Sequence, residues 1–222
     1  MVIAIDEFQQ IIHYPEKNIE ALLRGVIQRL NNVNFIFSGS DTTMMAEIFT
    51  NAKRPFYQST QMMHLDKIPI KKYIEFIREH LKSGRISMDT ELINYVLEET
   101  NTHTYYVQFF FNRIYSSGYN KINKETLNII YSDILNENEA YYSSYKDLLS
   151  VHQWKFLLAL AHENGYGAVN SSVFIKRYNL STASTINRAI KTLIEKKFIY
   201  KENGQYYVYD IFFRKWLSLQ KY

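Results

Sequence analysis

Val2-Ile3-Ala4-Ile5-Asp6-Glu7-Phe8-Gln9 decides the reading of this chain. Four apolar residues with high strand propensity stop abruptly at two adjacent carboxylates. A strand covered on both faces of a parallel sheet has this pattern. In open α/β sheets ligands bind outside the carboxyl ends of the strands, so Asp6 and Glu7 are expected at an active-site crevice. Four apolar residues and two acids also recur by chance at any acidic strand-to-helix turn, and the following segments give the pattern its weight. Asn18 to Leu30 carries Ile19, Leu22, Leu23, Val26, Ile27 and Leu30 at helical spacing. A second apolar run, Val33 to Phe37, then ends in Ser38-Gly39-Ser40. The order is strand, helix, strand, and it puts small hydroxyl groups at the same sheet edge as the two acids. A turn that needs the glycine at position 39 would leave the same trace.

With these residues in view, Ile3–Gln9 (IAIDEFQ), Asn34–Met45 (NFIFSGSDTTMM) and Arg54–Gln58 (RPFYQ) together resemble the ATPase domain of AAA-like, STAND-type P-loop ATPases of archaea and bacteria. The resemblance implies that Ile3–Glu7 is the Walker B segment. Asp6 would then hold Mg2+ through its water shell, and Glu7 would orient the attacking water. It also implies a sensor role for Ser38 or Ser40, with ATP and Mg2+ as cofactors of the intact protein. The family usually has an arginine shortly after the aromatic residues matching Phe56-Tyr57. This chain has Gln58-Ser59 there, which leaves Arg54 as the candidate arginine finger. No segment matches G-x-x-x-x-G-K-[ST], the loop whose amides and lysine cradle the triphosphate. In the family that loop lies ahead of the Walker B strand, so the resemblance implies a missing segment before Met1. The chain alone is expected not to hydrolyse ATP. Its first residues, Met1 to Gln58, are expected to be prone to aggregation or to depend on a partner, because two strands leave apolar faces and edges uncovered.

Ile68 to Tyr145 is helical and polar-rich. Amphipathic helices are predicted from Ile70, over Asp89 to Glu98 and over Thr104 to Tyr115, with turn signals at Ser83-Gly84 and Ser117-Gly118. A further helix and a connector are expected over Glu125 to Tyr145, with Asn136-Glu137-Asn138-Glu139 as a candidate hinge. A helical lid fits, as the resemblance implies. The family's Gly-x-Pro before the aromatic helix is here Thr102-His103-Thr104, and His103 reads as a turn residue rather than a nucleotide contact. The run Tyr105-Tyr106-Val107-Gln108-Phe109 reads as core.

Towards the end, helices are predicted over His152 to His162, Ser172 to Tyr178 and a third stretch capped by Ser181. Ile186, Ala189, Ile190, Leu193 and Ile194 of the third helix are assigned to the core, and Thr185, Asn187, Arg188, Lys191 and Thr192 to the outside. Phe198–Lys201 and Gln205–Val208 flank Glu202-Asn203-Gly204, a strong hairpin signal. This is a winged helix-turn-helix layout, and Tyr209–Leu217 closely resembles the family's ending after its winged helix. Charge points to the same segment. Residues 151–222 hold 11 Lys and Arg against 4 Asp and Glu, a net +7, whereas residues 1–150 hold 15 against 18, a net −3. A local positive excess suits a polyanion, although a solvated basic face also produces one. Thr185, Arg188, Lys191 and Lys201 are the candidate nucleic-acid contacts.

The chain therefore reads as mainly α with small β: a partial P-loop ATPase core over residues 1–65, a helical lid over 66–146 and a winged helix over 147–222. At 222 residues and 46% hydrophobic content it is long enough to bury a sizeable core. It contains no cysteine, which removes disulfides and thiolate metal sites, and its six histidines show no ligand spacing. No apolar run reaches the length of a membrane span, so a cytoplasmic location is expected. The expected function is that of an ATP-linked switch in incomplete form. The alternative is a winged-helix DNA-binding regulator with a vestigial acidic pair, and a protein partner or a second copy is a further candidate contact.

Overall fold

The computed structural model describes residues 1–220, which form two compact units, Met1–Asp66 and the chain from Lys67 onward. In the first unit, strands β1 (Val2–Ile5) and β2 (Asn34–Phe37) pair in parallel, with Val2 opposite Asn34 and Ile5 opposite Phe37. A parallel pair needs a crossover. Here it is a 3-10 turn, Phe8–His13, followed by helix α1 (Ile19–Ile27). The helix is shorter than the periodicity suggested, because Asn18 enters it with a left-handed φ of 65° and the chain leaves it through tight turns after Ile27. Helix α2 (Thr42–Thr50) follows β2 and starts where the Asp41 carboxylate accepts the Met44 amide at 2.9 Å.

One face of this two-stranded sheet carries the core. Phe8, Ile11, Met45, Ile48, Phe49 and Phe56 are buried, and Ile5, Phe37, Ile19, Leu23 and Ile27 pack against them. Phe8 lies centrally, with ring centroids 4.2 Å from Phe37 and 5.4 Å from Phe56. The apolar run at β1 has the pattern of a strand covered on both faces, but with only two strands present one face is left open, as expected. Val2 and Ile36 are 61% and 56% exposed, and both strands alternate between exposed and half-buried residues. No α1 residue is fully buried, and Leu22 and Val26 face solvent. The apolar character of both faces is present, but α1 and α2 pack on one of them only.

The second unit is mostly helical. It runs through α3 (Ile70–Ser83), β3 (Ser87–Met88), α4 (Thr90–Glu99), α5 (Thr104–Ser116), β4 (Lys121–Ile122), α6 (Lys124–Glu137) and α7 (Glu139–Ser144). It continues with α8 (Val151–Glu163), α9 (Ser172–Arg177), α10 (Ala183–Glu195), β5 (Ile199–Glu202), β6 (Gln205–Val208) and α11 (Ile211–Leu219). Capping boxes start α6, through Asn123 and Thr126, and α8, through Ser150 and Gln153. Strands β5 and β6 form the expected hairpin, with Asn203 and Gly204 at φ 48° and 80°, both left-handed as a type I′ turn requires. Tyr166 adds a short bridge to Tyr206, so the wing gains a third edge.

A single hydrophobic core extends from Tyr73 to Leu217. Helix α11 ties it together. Phe212 packs on Tyr106, Phe109 and Phe110 of α5, and Phe213 on Tyr142, Tyr145 and Trp154. The helix is fixed at its start by the Asp210 carboxylate, which accepts the Phe212 and Phe213 amides at 2.8 and 3.0 Å. Farther along, Lys215 pairs with Glu99 at 3.0 Å. The aromatic run at Tyr105–Phe109 thus serves as core through Tyr106 and Val107, while Tyr105 stays exposed. The candidate hinge at Asn136–Glu139 is the bend between α6 and α7, where the Asn138 amide group donates to the Ile134 carbonyl at 2.8 Å. Two details of the third winged-helix helix are corrected. Its cap is Thr182, whose hydroxyl accepts the Thr185 amide, rather than Ser181. Ile194, assigned to the core, is 42% exposed near the end of α10.

Candidate functional site

Beyond Ile5 the chain turns out of β1 at Asp6 and Glu7. Glu7 adopts φ 50° and ψ 39°, a left-handed conformation that costs a non-glycine residue energy and often marks a site. The two strand ends are clamped together: the Ser38 amide donates to the Ile5 carbonyl at 3.0 Å, and the Phe8 amide donates to the Ser38 carbonyl at 2.9 Å. This clamp brings each acid to a serine of β2's exit. The Ser38 hydroxyl donates to Asp6 Oδ1 at 2.6 Å, and the Ser40 hydroxyl donates to Glu7 Oε2 at 3.1 Å. The Ser38 bond, helped by the Glu7 amide at 2.9 Å, holds the Asp6 carboxyl below its ordinary pKa, so Asp6 is ionised at neutral pH.

Sequence reasoning missed Gln9. It is only 2% exposed, and its side-chain amide donates to Glu7 Oε2 at 2.6 Å and reaches the Ser40 hydroxyl at 3.5 Å. Its own carbonyl oxygen is buried without a hydrogen-bond partner. The only signal available in the sequence was a polar residue in a stretch otherwise destined for the core. Gln9 also explains Gly39. This glycine has no positive φ, so the turn itself does not require it. A Cβ there would strike the Gln9 carbonyl oxygen and lie 2.7 Å from the Met45 sulfur. Gly39→Ala is accordingly expected to destabilise the first unit by about 1–3 kcal/mol, the usual cost of overpacking, and a urea melt of this variant checks it.

Arg54 lies elsewhere in the hydrogen-bond pattern. Its guanidinium pairs with Glu20 of α1 at 3.0 Å, in a half-buried setting. The Arg54 Nε atom and the Arg24 Nε atom make no hydrogen bond. Asp6, Glu7, Ser38 and Ser40 are thus brought together, and Arg54 is bound to Glu20 rather than to any of them. Among the described residues no group of three His, Cys, Asp or Glu side chains forms a metal cage. One ionised carboxylate beside a hydroxyl does fit the way Mg2+ is held in nucleotide sites, through waters and substrate phosphates with few protein ligands.

In the second unit, Arg188 and Lys191 are exposed on α10, one helical turn apart. Thr185 is half-buried, with its hydroxyl 3.1 Å from that of Thr182. Lys201 projects from β5 with its ammonium 5.1 Å from the centre of the Tyr206 ring. Asn187 accepts from the Asn170 side chain at 2.9 Å. His103 precedes α5 against the Tyr106 ring, and its pKa is lowered, first by burial and then by the charge of Lys67.

Residues 140–219 match a family described as a probable winged helix domain. Among solved structures, a Walker-type ATPase of Pyrococcus abyssi is similar to 98% of this chain, with a TM-score of 0.59 and 16% sequence identity. The chain spans 63% of that ATPase's length. No curated protein matches the chain. At this identity the likeness is one of fold, mainly helical with small strands, and residues 140–219 carry the winged helix. Among the described residues no helix is long and apolar enough to cross a membrane.

Proposed function

We propose that the chain is the C-terminal portion of an ATP-binding, AAA-like STAND ATPase that acts as a nucleotide-dependent switch. The observation that carries this reading is the pairing of acids and hydroxyls at the sheet's carboxyl edge, Asp6 with Ser38 and Glu7 with Ser40. A structural turn has no need of two ionisable side chains held by hydroxyls at the one edge where α/β sheets bind ligands. In this reading Asp6 holds Mg2+ through water, and Mg2+ supplies charge neutralisation on the triphosphate. Glu7 accepts a hydrogen bond from the attacking water and aims it, while Gln9 fixes the carboxylate. Ser38 and Ser40 serve as the sensor hydroxyls. Arg54 joins as an arginine finger only after it leaves Glu20. Residues 66–146 form the lid and 147–222 the winged helix, and because the two share one core they are displaced together when the nucleotide site closes.

Positioning supplies most of the catalysis in phosphoryl transfer, so the chain without a phosphate loop is inactive in this reading. The test is ATP turnover after a strand–G-x-x-x-x-G-K-[ST]–helix segment is joined ahead of Met1. Turnover that appears in the joined protein and disappears in its Asp6→Asn variant supports the reading. A folded joined protein that fails to bind Mg-ATP counts against it.

A second reading, a winged-helix DNA-binding regulator, is favoured by the +7 charge of residues 151–222 and by the exposure of Arg188 and Lys191. Here the N-terminal half of α10 enters the major groove and Lys201 of the wing meets the backbone. Replacing both Arg188 and Lys191 with alanine is then expected to weaken duplex binding at low salt by about tenfold or more, and to flatten its salt dependence by about two phosphate contacts. Fluorescence anisotropy with labelled duplex at several salt concentrations reads both effects. An unchanged salt slope would remove the DNA reading.

A further inference from the structure

In the first unit one carboxylate stands between two arginines. Glu20 lies in the first turn of α1, and its Oε1 atom meets Arg54 Nη2 at 3.0 Å, with the two side chains 12% and 22% exposed. Arg24 follows four residues later, which makes it Glu20's neighbour on the same flank of the helix. The cluster is incompletely satisfied. Glu20 Oε2 is buried and accepts no hydrogen bond, and the Nε atoms of Arg24 and Arg54 are buried and donate none. A guanidinium can grip both oxygens of a carboxylate with two parallel bonds, but Arg54 reaches only one of them.

A pair of this kind is held loosely for its depth. Taking charges out of water is costly, and mutual attraction outweighs that cost only where the remaining lone pairs and protons find partners. Letting go of Arg54 outright would be worse, because it leaves a buried carboxylate with no partner at all. Arg24 removes this difficulty. A glutamate four residues ahead of a cation has the favourable order for a pair on one helix. Rotation of the Glu20 side chain towards Arg24 exchanges one ion pair for another and gives the unpartnered Oε2 and Arg24 Nε atoms a use. The backbone of Arg54 is fixed in the turns after α2, its amide donating to the Asn51 carbonyl at 3.0 Å and its carbonyl accepting the Tyr57 amide at 3.1 Å. Release of Arg54 is therefore a side-chain motion.

We propose that Glu20 is a two-position latch, resting on Arg54 and moving to Arg24 when Arg54 is released. The proposal rests on the ATPase reading for its purpose, since the released guanidinium is the one that would meet a triphosphate. Arg24 is then a positioning residue that acts on Arg54 through Glu20. The consequence has an unusual sign: removing Arg24 locks Arg54 in place, because Glu20 has nowhere else to go.

The test reads Arg54 in the full chain, with no nucleotide present, as its rate of modification by phenylglyoxal, followed peptide by peptide with mass spectrometry. Arg188, exposed in the other unit, is the internal reference. Glu20→Gln is expected to raise the Arg54 rate about tenfold and Arg24→Gln to lower it about tenfold, within the range for neighbours in one charge network. Arg24→Lys, which keeps the charge, restores the wild-type rate. Loss of fold cannot imitate the slowing, since unfolding exposes Arg54 and raises its rate. In a Glu20→Gln background, Arg24→Gln is expected to change nothing, because the coupling passes through the carboxylate. An Arg54 rate that is unchanged or raised by Arg24→Gln overturns the proposal. So does an equal effect of Arg24→Gln with and without the Glu20 carboxylate, which would make the influence of Arg24 a direct repulsion. No nucleotide enters this assay, so a latch that fails here is told apart from an ATPase reading that fails in the turnover of the joined protein.

Discussion

Phe213→Ala is expected to destabilise the unit from Lys67 onward by about 3–5 kcal/mol, the range for deleting a buried phenylalanine. Phe213 is fully buried, and its ring lies 5.2 Å from Tyr142, 5.0 Å from Tyr145, 6.2 Å from Phe198 and 6.1 Å from Trp216. These partners come from α7 and the turn after it, from the start of the hairpin and from α11 itself, so one truncation loosens several elements. Domains are stable by only about 5–15 kcal/mol in total. The loss should therefore lower the urea midpoint strongly. Because one core runs from Tyr73 to Leu217, the emission of Trp154 and Trp216, which both lie in this unit, should report a single shifted transition. A change below about 1 kcal/mol, or two separated transitions, would show that α11 is not the element joining the helical segment to the winged helix.

The second large effect concerns chemistry. In a protein completed by a phosphate-loop segment ahead of Met1, Glu7→Gln is expected to lower ATP turnover by about 10²–10⁴-fold while leaving Mg-ATP binding in place. The amide keeps the size of the carboxylate and the contacts that Ser40 and Gln9 make with it, but it can no longer polarise water. Asp6→Asn should act differently. It removes the ionised group beside Ser38 and so weakens the binding of Mg-ATP itself. A split between turnover for Glu7 and binding for Asp6 is the pattern that two acids with separate roles produce.

Much of this was legible in the residues. The hairpin at Asn203-Gly204, the β1–β2 pair and the start of α3 follow from local chemistry, because turn residues and hydrophobic period act over short distances. The approach of Ser38 to Asp6 and of Ser40 to Glu7 was implied only at the level of a shared sheet edge; the register of β1 on β2 makes it a contact. Gln9 was not legible, since its burial depends on Gly39 and Met45 arriving from α2's side of the sheet. Nor was the Glu20–Arg54 pair, which joins residues far apart in sequence. The exposed face at Val2 and Ile36 follows from the strand count, because two strands with helices on one side leave apolar surface without a covering layer. The cap at Thr182 rather than Ser181 reflects two adjacent residues of equal capping ability, between which periodicity alone does not choose.

The most direct test of the nucleotide-edge account is a side-by-side measurement of Mg-ATP hydrolysis by the chain alone and by the joined protein, each shown by its melt to be folded. The account predicts no turnover above buffer for the chain alone, and turnover for the joined protein that Glu7→Gln abolishes. Hydrolysis by the joined protein that is indifferent to both Glu7→Gln and Asp6→Asn would contradict it.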